Sequence, residues 1–175
     1  LSTAAVTEAL ATAADVPFEI PAGFTFPGFY AAMASAYMAQ YGMKSEHLMN
    51  VAIKNHDNAA LNPNAQFGVT IQTWMEGRVA AALKKGKPAP TWANIWDFLH
   101  DESGNPTIAY PLRLFDCSPI SDGAAAVLLV AEEIAHQFTD HPIHIIGSAQ
   151  ASGSALHDRP SLTSIPAAKT AAANA

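Results

Sequence analysis

The sequence predicts an α/β protein, and two observations carry that reading. Up to about residue 110 the apolar residues recur at helical spacing. Beyond that, "AAAVLLVA" (124–131), "EEIAHQF" (132–138) and "IHIIGSA" (143–149) read as strand, short helix and strand. An unbroken apolar run such as the first of these fits a strand covered on both faces. Composition agrees with a well-buried body: half of the 175 residues are hydrophobic and only 14% are charged.

The elements follow in order. Residues 5 to 14 form a short helical candidate, and Pro17, Pro21, Gly23, Pro27 and Gly28 then punctuate an irregular stretch. From Phe29 to Tyr41 the residues Tyr30, Met33, Tyr37 and Tyr41 recur at helical spacing, with Gly42 placed to end the helix in a left-handed cap. Ser45 is positioned to cap the next helix, which has Glu46 in its first turn and Leu48, Met49, Ala52 and Ile53 as its apolar face. A further helix is expected over Gln72–Leu83, ended by "KKGKPAP". In "TWANIWDFLHD" (91–101), Trp92, Ile95, Trp96 and Leu99 stand at i, i+3, i+4 and i+7. That stripe serves either core packing or a subunit or partner interface, where Trp is enriched. The alanine-rich "PAAKTAAANA" closes the sequence in a helical pattern, and both ends read as cuts through a longer protein.

Charge and cysteine content exclude several functions. Nine Lys and Arg against fifteen Asp and Glu leave a net charge of −6, without the basic stripe that neutralises a phosphate backbone, so nucleic acid is not an expected partner. No apolar run approaches the roughly 20 residues that span a bilayer. A single cysteine forms no disulfide within the chain, and a reducing compartment, cytosolic or organellar, is the simplest fit, with a cytoplasmic location expected. His136, His141 and His144 cluster, but fit no familiar zinc spacing, and no metal is expected. His56 lies in the polar "KNHDN", open to acid–base chemistry or to hydrogen bonding at a helix end. Pro106 removes Asn105 as a glycosylation acceptor.

No GxSxG, Walker, dinucleotide or HExxH motif is present, and no complete catalytic constellation is visible. Cys117 supports two readings, a nucleophile activated by a neighbouring cation or a small buried hydrophobe. Asp116 beside it opposes activation.

At "KNHDNAALNPNAQF" (54–67) and "PLRLFDCSPISDGAAAVLLVAEE" (111–133) the chain resembles the thiolase superfamily, in the branch of the sterol-carrier-protein thiolases and the archaeal and bacterial acetyl-CoA acetyltransferases. The resemblance covers most of the chain and is weakest over the Trp-rich stretch from Thr70 to Asn105. It implies a central part of the thiolase fold, with a helical loop domain followed by strand, helix and strand of the α/β core. Residues 1–110 would be loop-domain-like, 111–140 the last strand and helix of the N-terminal half, and 141–175 the start of the C-terminal half. It further implies an acyltransferase acting on coenzyme A thioesters by thiolysis or Claisen condensation, with no other cofactor and with its catalytic cysteines and histidine outside these residues.

Carried over position by position, Ser118 would approach the pantetheine arm and Leu114 would line the same pocket. Phe29 and Tyr30 stand where relatives carry a His-Met pair, a departure that implies a different acyl group. Arg113 or Lys54 would be the cations to meet CoA phosphates, but for a surface cation the solvated role is the favoured reading. Partners implied are acyl-CoA or CoA, further copies in a homo-oligomer (dimer or tetramer) and, in a retro-aldolase relative that cleaves a β-hydroxyacyl-CoA, an OB-fold subunit. A non-catalytic subunit or binding module is the reading from another class. In all of these Cys117 is read as packing.

Overall fold

The computed structural model describes residues 2–175. They form two compact units. One comprises the chain up to Pro119 together with Ala155–Thr163, and the other comprises Ile120–Ser154 with Ser164–Ala175.

The first unit is helical. Helix α1 (Thr3–Ala11) starts two residues ahead of the expected element, with the Ser2 hydroxyl accepting the Ala5 N–H at 3.3 Å. Helix α2 (Phe26–Tyr41) ends as predicted at Gly42, whose φ of 67° is the left-handed conformation that glycine adopts without strain. Its tyrosine stripe does not face the core, since Tyr30, Tyr37 and Tyr41 are exposed and the small Ala31 is the buried residue. The spacing was right for a helix and silent on its inner face: of the predicted stripe only Met33 is half-buried, with its sulfur against Arg159, beside the buried Ala31. Helix α3 (Ser45–Ala59) places Ser45 inside the first turn, and the capping position falls to Lys44, whose N–H is taken by the His47 ring at 3.3 Å. Helix α4 (Ile71–Lys84) is capped by Thr70 and followed by Gly86 at φ 65°.

Helix α5 (Ile95–His100) is shorter than the apolar stripe that predicted it. Asn94 caps it by accepting the N–H groups of Trp96 and Asp97, so Trp92 precedes the helix. Leu99 is fully buried, and Trp92, Ile95 and Trp96 pack partly buried against the cluster of Met49, Ile71, Met75, Phe98 and Leu99. Core packing therefore occupies Leu99, and it is not open to an interface. Strands β1 (Thr107–Ala109) and β2 (Leu112–Arg113) pair antiparallel in a short hairpin against which α2 packs.

The second unit departs from expectation. Helix α6 (Glu132–Ala135) and helix α7 (Pro166–Asn174) form, but neither 124–131 nor 143–149 is a strand. Both runs lie in irregular backbone with Val127, Leu128, Leu129, Ile143, Ile145 and Ile146 between 69% and 98% exposed. A strand buried on both faces requires neighbours to accept its ladder hydrogen bonds and cover its side chains. Among the described residues none pairs with either run, and the hairpin is the only sheet. The chain is thus mixed helical with a small sheet. Gly123 has open space where a Cβ would sit, so nothing in this unit requires glycine there.

Candidate ligand-lining turn

The segment Leu114–Ser118 is held by a polar scaffold that begins at the end of α5. Asp101 folds the chain back by accepting the Ser103 N–H at 2.7 Å, the Ser103 hydroxyl and the Gly104 N–H at 3.2 Å, which holds its carboxyl below the usual range. Gly104 then passes so close under Phe98 that a Cβ would lie 2.6 Å from the Phe98 carbonyl oxygen. This brings in Asn105, which has no exposed surface. Its Nδ2 donates to the Leu99 carbonyl at 2.9 Å and its Oδ1 accepts the Phe115 N–H at 3.0 Å. A buried amide with donor and acceptor both satisfied stabilises the geometry it bridges. Here it ties α5 to the turn.

Arg113 reinforces the arrangement. Its Nη1 donates to the Asn105 carbonyl at 2.9 Å and to Glu102 at 3.3 Å, while Glu102 also accepts the Thr107 N–H at 2.7 Å. Leu114 N–H donates to the Pro106 carbonyl at 2.9 Å, and the 3-10 turn Leu114–Asp116 follows. Phe115 anchors the turn inward, with its ring 5.5 Å from Phe98, 5.5 Å from His56 and 6.1 Å from Trp74. His56 is held in turn, Nδ1 lying 3.0 Å from the Val69 carbonyl oxygen. It is therefore part of the packing behind the turn.

The two residues left facing outward are Leu114, 39% exposed, and Ser118. Asp116 is half-buried, with Oδ2 accepting the Arg113 N–H at 2.9 Å, and burial pushes its carboxyl up. Cys117 is also half-buried. Burial first, and the Asp116 charge second, push its thiol up, the opposite of what a nucleophile needs. Phe29 stacks on Phe24 at 5.2 Å and Tyr30 is exposed, and neither is joined to Leu114 or Ser118 by a hydrogen bond or ring contact. Arg113 is tied to the scaffold through Nη1, and its side chain is mostly buried. His144 lies 3.7 Å from Glu132, and among the described residues no three His, Cys, Asp or Glu side chains converge on a metal position. No helix among them is long and apolar enough to cross a membrane.

Sequence reasoning passed over Asn105, considering it only as a glycosylation acceptor. The available signal was "GNPT" itself, where Gly and Pro bracket a side chain that can bond in both directions. It also gave no weight to a groove of about 370 Å³ on α4, lined by Val69, Thr73, Trp74, Gly77, Arg78 and Ala81.

No protein-family model matches the chain. An acetyl-CoA acetyltransferase of Methanothermobacter thermautotrophicus is 42% identical over 172 residues, 97% of this chain and 38% of the relative. An acetyl-CoA acetyltransferase of Methanocaldococcus jannaschii is 37% identical over the same share of this chain and 37% of its own. A steroid side-chain-cleaving aldolase of Thermomonospora curvata is 32% identical over 139 residues, 79% of this chain and 29% of the relative. The chain thus spans well under half the length of the curated relatives it matches.

Proposed function

We propose, from the premise that the chain belongs over most of its length to the thiolase superfamily, that it is the central part of an acyltransferase acting on acyl-CoA thioesters. In this reading residues 1–110 are the loop-domain-like region, 111–140 end the N-terminal half and 141–175 begin the C-terminal half. The observation that supports it is the turn itself: Asn105, Arg113 and Phe115 fix the backbone while Leu114 and Ser118 stay exposed. A fixed turn with one apolar and one hydroxyl side chain outward suits a pantetheine arm, whose amides exchange hydrogen bonds with Ser118 Oγ while its methylenes lie on Leu114.

Phe29 and Tyr30 supply the acyl end of the pocket, and the pocket functions in a cytoplasmic homo-oligomer. The cysteine that takes the acyl group and the base that activates it lie outside these residues, so Cys117 has no covalent role. Calorimetric titration of the protein with CoA tests the reading. Binding that Ser118→Ala weakens supports it, whereas no binding, or thiolysis of acetoacetyl-CoA by these 175 residues alone, would overturn it.

A second reading is favoured by the similarity to the aldolase. The same turn would then hold a β-hydroxyacyl-CoA for retro-aldol cleavage, with an OB-fold partner. Products of the enzyme containing this chain separate the two: a shortened acyl-CoA plus a ketone, or acyl transfer to CoA.

A further inference from the structure

Of the Asp and Asn residues in the sequence only Asp122 precedes a glycine, in "SPISDGAAA" (118–126). The pair lies in irregular backbone, and every residue from Ser118 to Leu129 is exposed. Among the described residues neither the Asp122 carboxylate nor the Gly123 N–H has a hydrogen-bond or ion-pair partner. Aspartates in the ordered turns are held: Asp101 accepts the N–H groups of Ser103 and Gly104, and Asp116 accepts the Arg113 N–H.

Glycine at 123 meets no structural need in this unit. Its φ lies outside the left-handed region, and an added Cβ would meet nothing within 4 Å. Its effect is to leave its own N–H unshielded, because it lacks the Cβ that would crowd an approach to that nitrogen. The Asp122 carboxyl carbon can reach the same nitrogen by rotation about Asp122 bonds alone. With no hydrogen bond to break and no packing to lose, little opposes that rotation. Attack within one residue pair also avoids the entropy cost of bringing two reactants together.

We propose that Asp122 and Gly123 form a covalent modification site, at which the aspartate isomerises to isoaspartate through a succinimide. The Gly123 amide nitrogen attacks Cγ of the Asp122 carboxylic acid. An N–Cγ bond forms, a Cγ–O bond breaks, and the hydroxyl leaves as water with the amide proton. Water then adds back at one of the two ring carbonyls. Addition at Cγ restores aspartate. Addition at the main-chain carbonyl carbon breaks its bond to nitrogen and leaves the chain running through Cβ and Cγ, with a free α-carboxylate. No oxidant or reductant enters. The main chain gains one carbon four residues beyond Ser118, where no hydrogen bond among the described residues resists the change. The inference is independent of the acyl-CoA reading.

The test incubates the protein, and a peptide of residues 114–127, at neutral pH and physiological temperature. Isoaspartate is counted by enzymatic methyl transfer from S-adenosylmethionine to the freed α-carboxylate, and located by the loss of Asp-N protease cleavage before residue 122. The folded protein is expected to accumulate it at the rate of the peptide. The signal should be lost in Asp122→Glu, whose longer side chain must close a larger ring, and slowed in Gly123→Ala, which the open space accommodates. A folded protein that stays free of isoaspartate while the peptide accumulates it would show the site covered and overturn the proposal. So would a peptide that accumulates none, or a protein signal that survives in Asp122→Glu.

Discussion

Glu19 and His157, 138 residues apart, are joined twice through one carboxylate oxygen, which accepts the His157 N–H at 3.0 Å and its Nδ1–H at 3.1 Å. The other oxygen accepts the Asp15 N–H at 3.0 Å, so a nearly buried carboxylate closes the N-terminal turns onto the segment 155–159. Burial disfavours the Glu19 charge, but the N–H donors of Asp15 and His157 outweigh it and hold the carboxyl below its usual value of 4.5. His157 is raised above 6.5, first by its hydrogen bond to Glu19 and then by the charges of Asp158 and Asp15.

The stability conferred by the pair therefore has a pH window. A raised His contributes fully below its unfolded pKa and loses that contribution as pH rises through the folded one. A lowered Glu contributes above its unfolded pKa and loses it as pH falls. The pair is strongest between about 4.5 and 6.5. Urea unfolding of the wild type and His157→Gln should differ most near the middle of that window and converge at alkaline pH. A difference constant from acid to alkaline pH would show that the imidazole charge plays no part.

Asn105 governs the turn. Asn105→Ala leaves the buried Phe115 N–H and Leu99 carbonyl without partners, and should destabilise the protein by about 2–3 kcal/mol. Asn105→Asp keeps the acceptor for Phe115 but loses the donor and buries a charge. Its penalty should shrink as pH falls, since the protonated acid is neutral and can donate to Leu99. Denaturant midpoints of both variants at acid and neutral pH check this. An alanine variant as stable as the wild type would remove Asn105 from the scaffold.

How far the sequence was legible differs between the two units. Helical periodicity located α2, α3 and α4 to within a few residues, and Gly42 marked an end because only a left-handed cap satisfies the last carbonyls there. Caps slipped by one position where a backbone-to-ring bond at Lys44 replaced the expected Ser45 hydroxyl. Periodicity misjudged the α2 tyrosines, because spacing fixes which residues share a face but not which face is covered. The runs 124–131 and 143–149 have strand composition without strand partners: pairing is a property of neighbours, not of the run. At the turn, Leu114 and Ser118 were named from the family resemblance, and the structure adds that both are exposed, whereas Asn105 and the α4 groove depend on contacts that no local pattern encodes.

Two glycine substitutions should act in opposite directions. At Gly104 an added Cβ meets the Phe98 carbonyl oxygen at 2.6 Å and its ring at 2.7 Å, so Gly104→Ala must shift backbone or core and should cost about 1–3 kcal/mol. At Gly77 the space is open and the helix gains from alanine, so Gly77→Ala should stabilise by about 0.5–1 kcal/mol. Thermal midpoints read both signs directly. A destabilised Gly77→Ala would mean that α4 is covered on that side in solution.

Cys117 is the sharpest separation of packing from chemistry. A thiol raised by burial and by the adjacent Asp116 carboxylate holds less thiolate at neutral pH than a free cysteine, and the thiolate is the reactive form. Iodoacetamide should label the folded protein more slowly than a short peptide containing the same residue, and urea should abolish the difference. Asp116→Asn removes the repelling charge but leaves the burial, which is the larger influence, so labelling should quicken only in part. Should the folded protein label faster than the peptide, the thiol would be activated and the packing assignment would fail. In the enzyme containing this chain, Cys117→Ala should keep covalent labelling by an acyl-CoA substrate; its loss would place the nucleophile here.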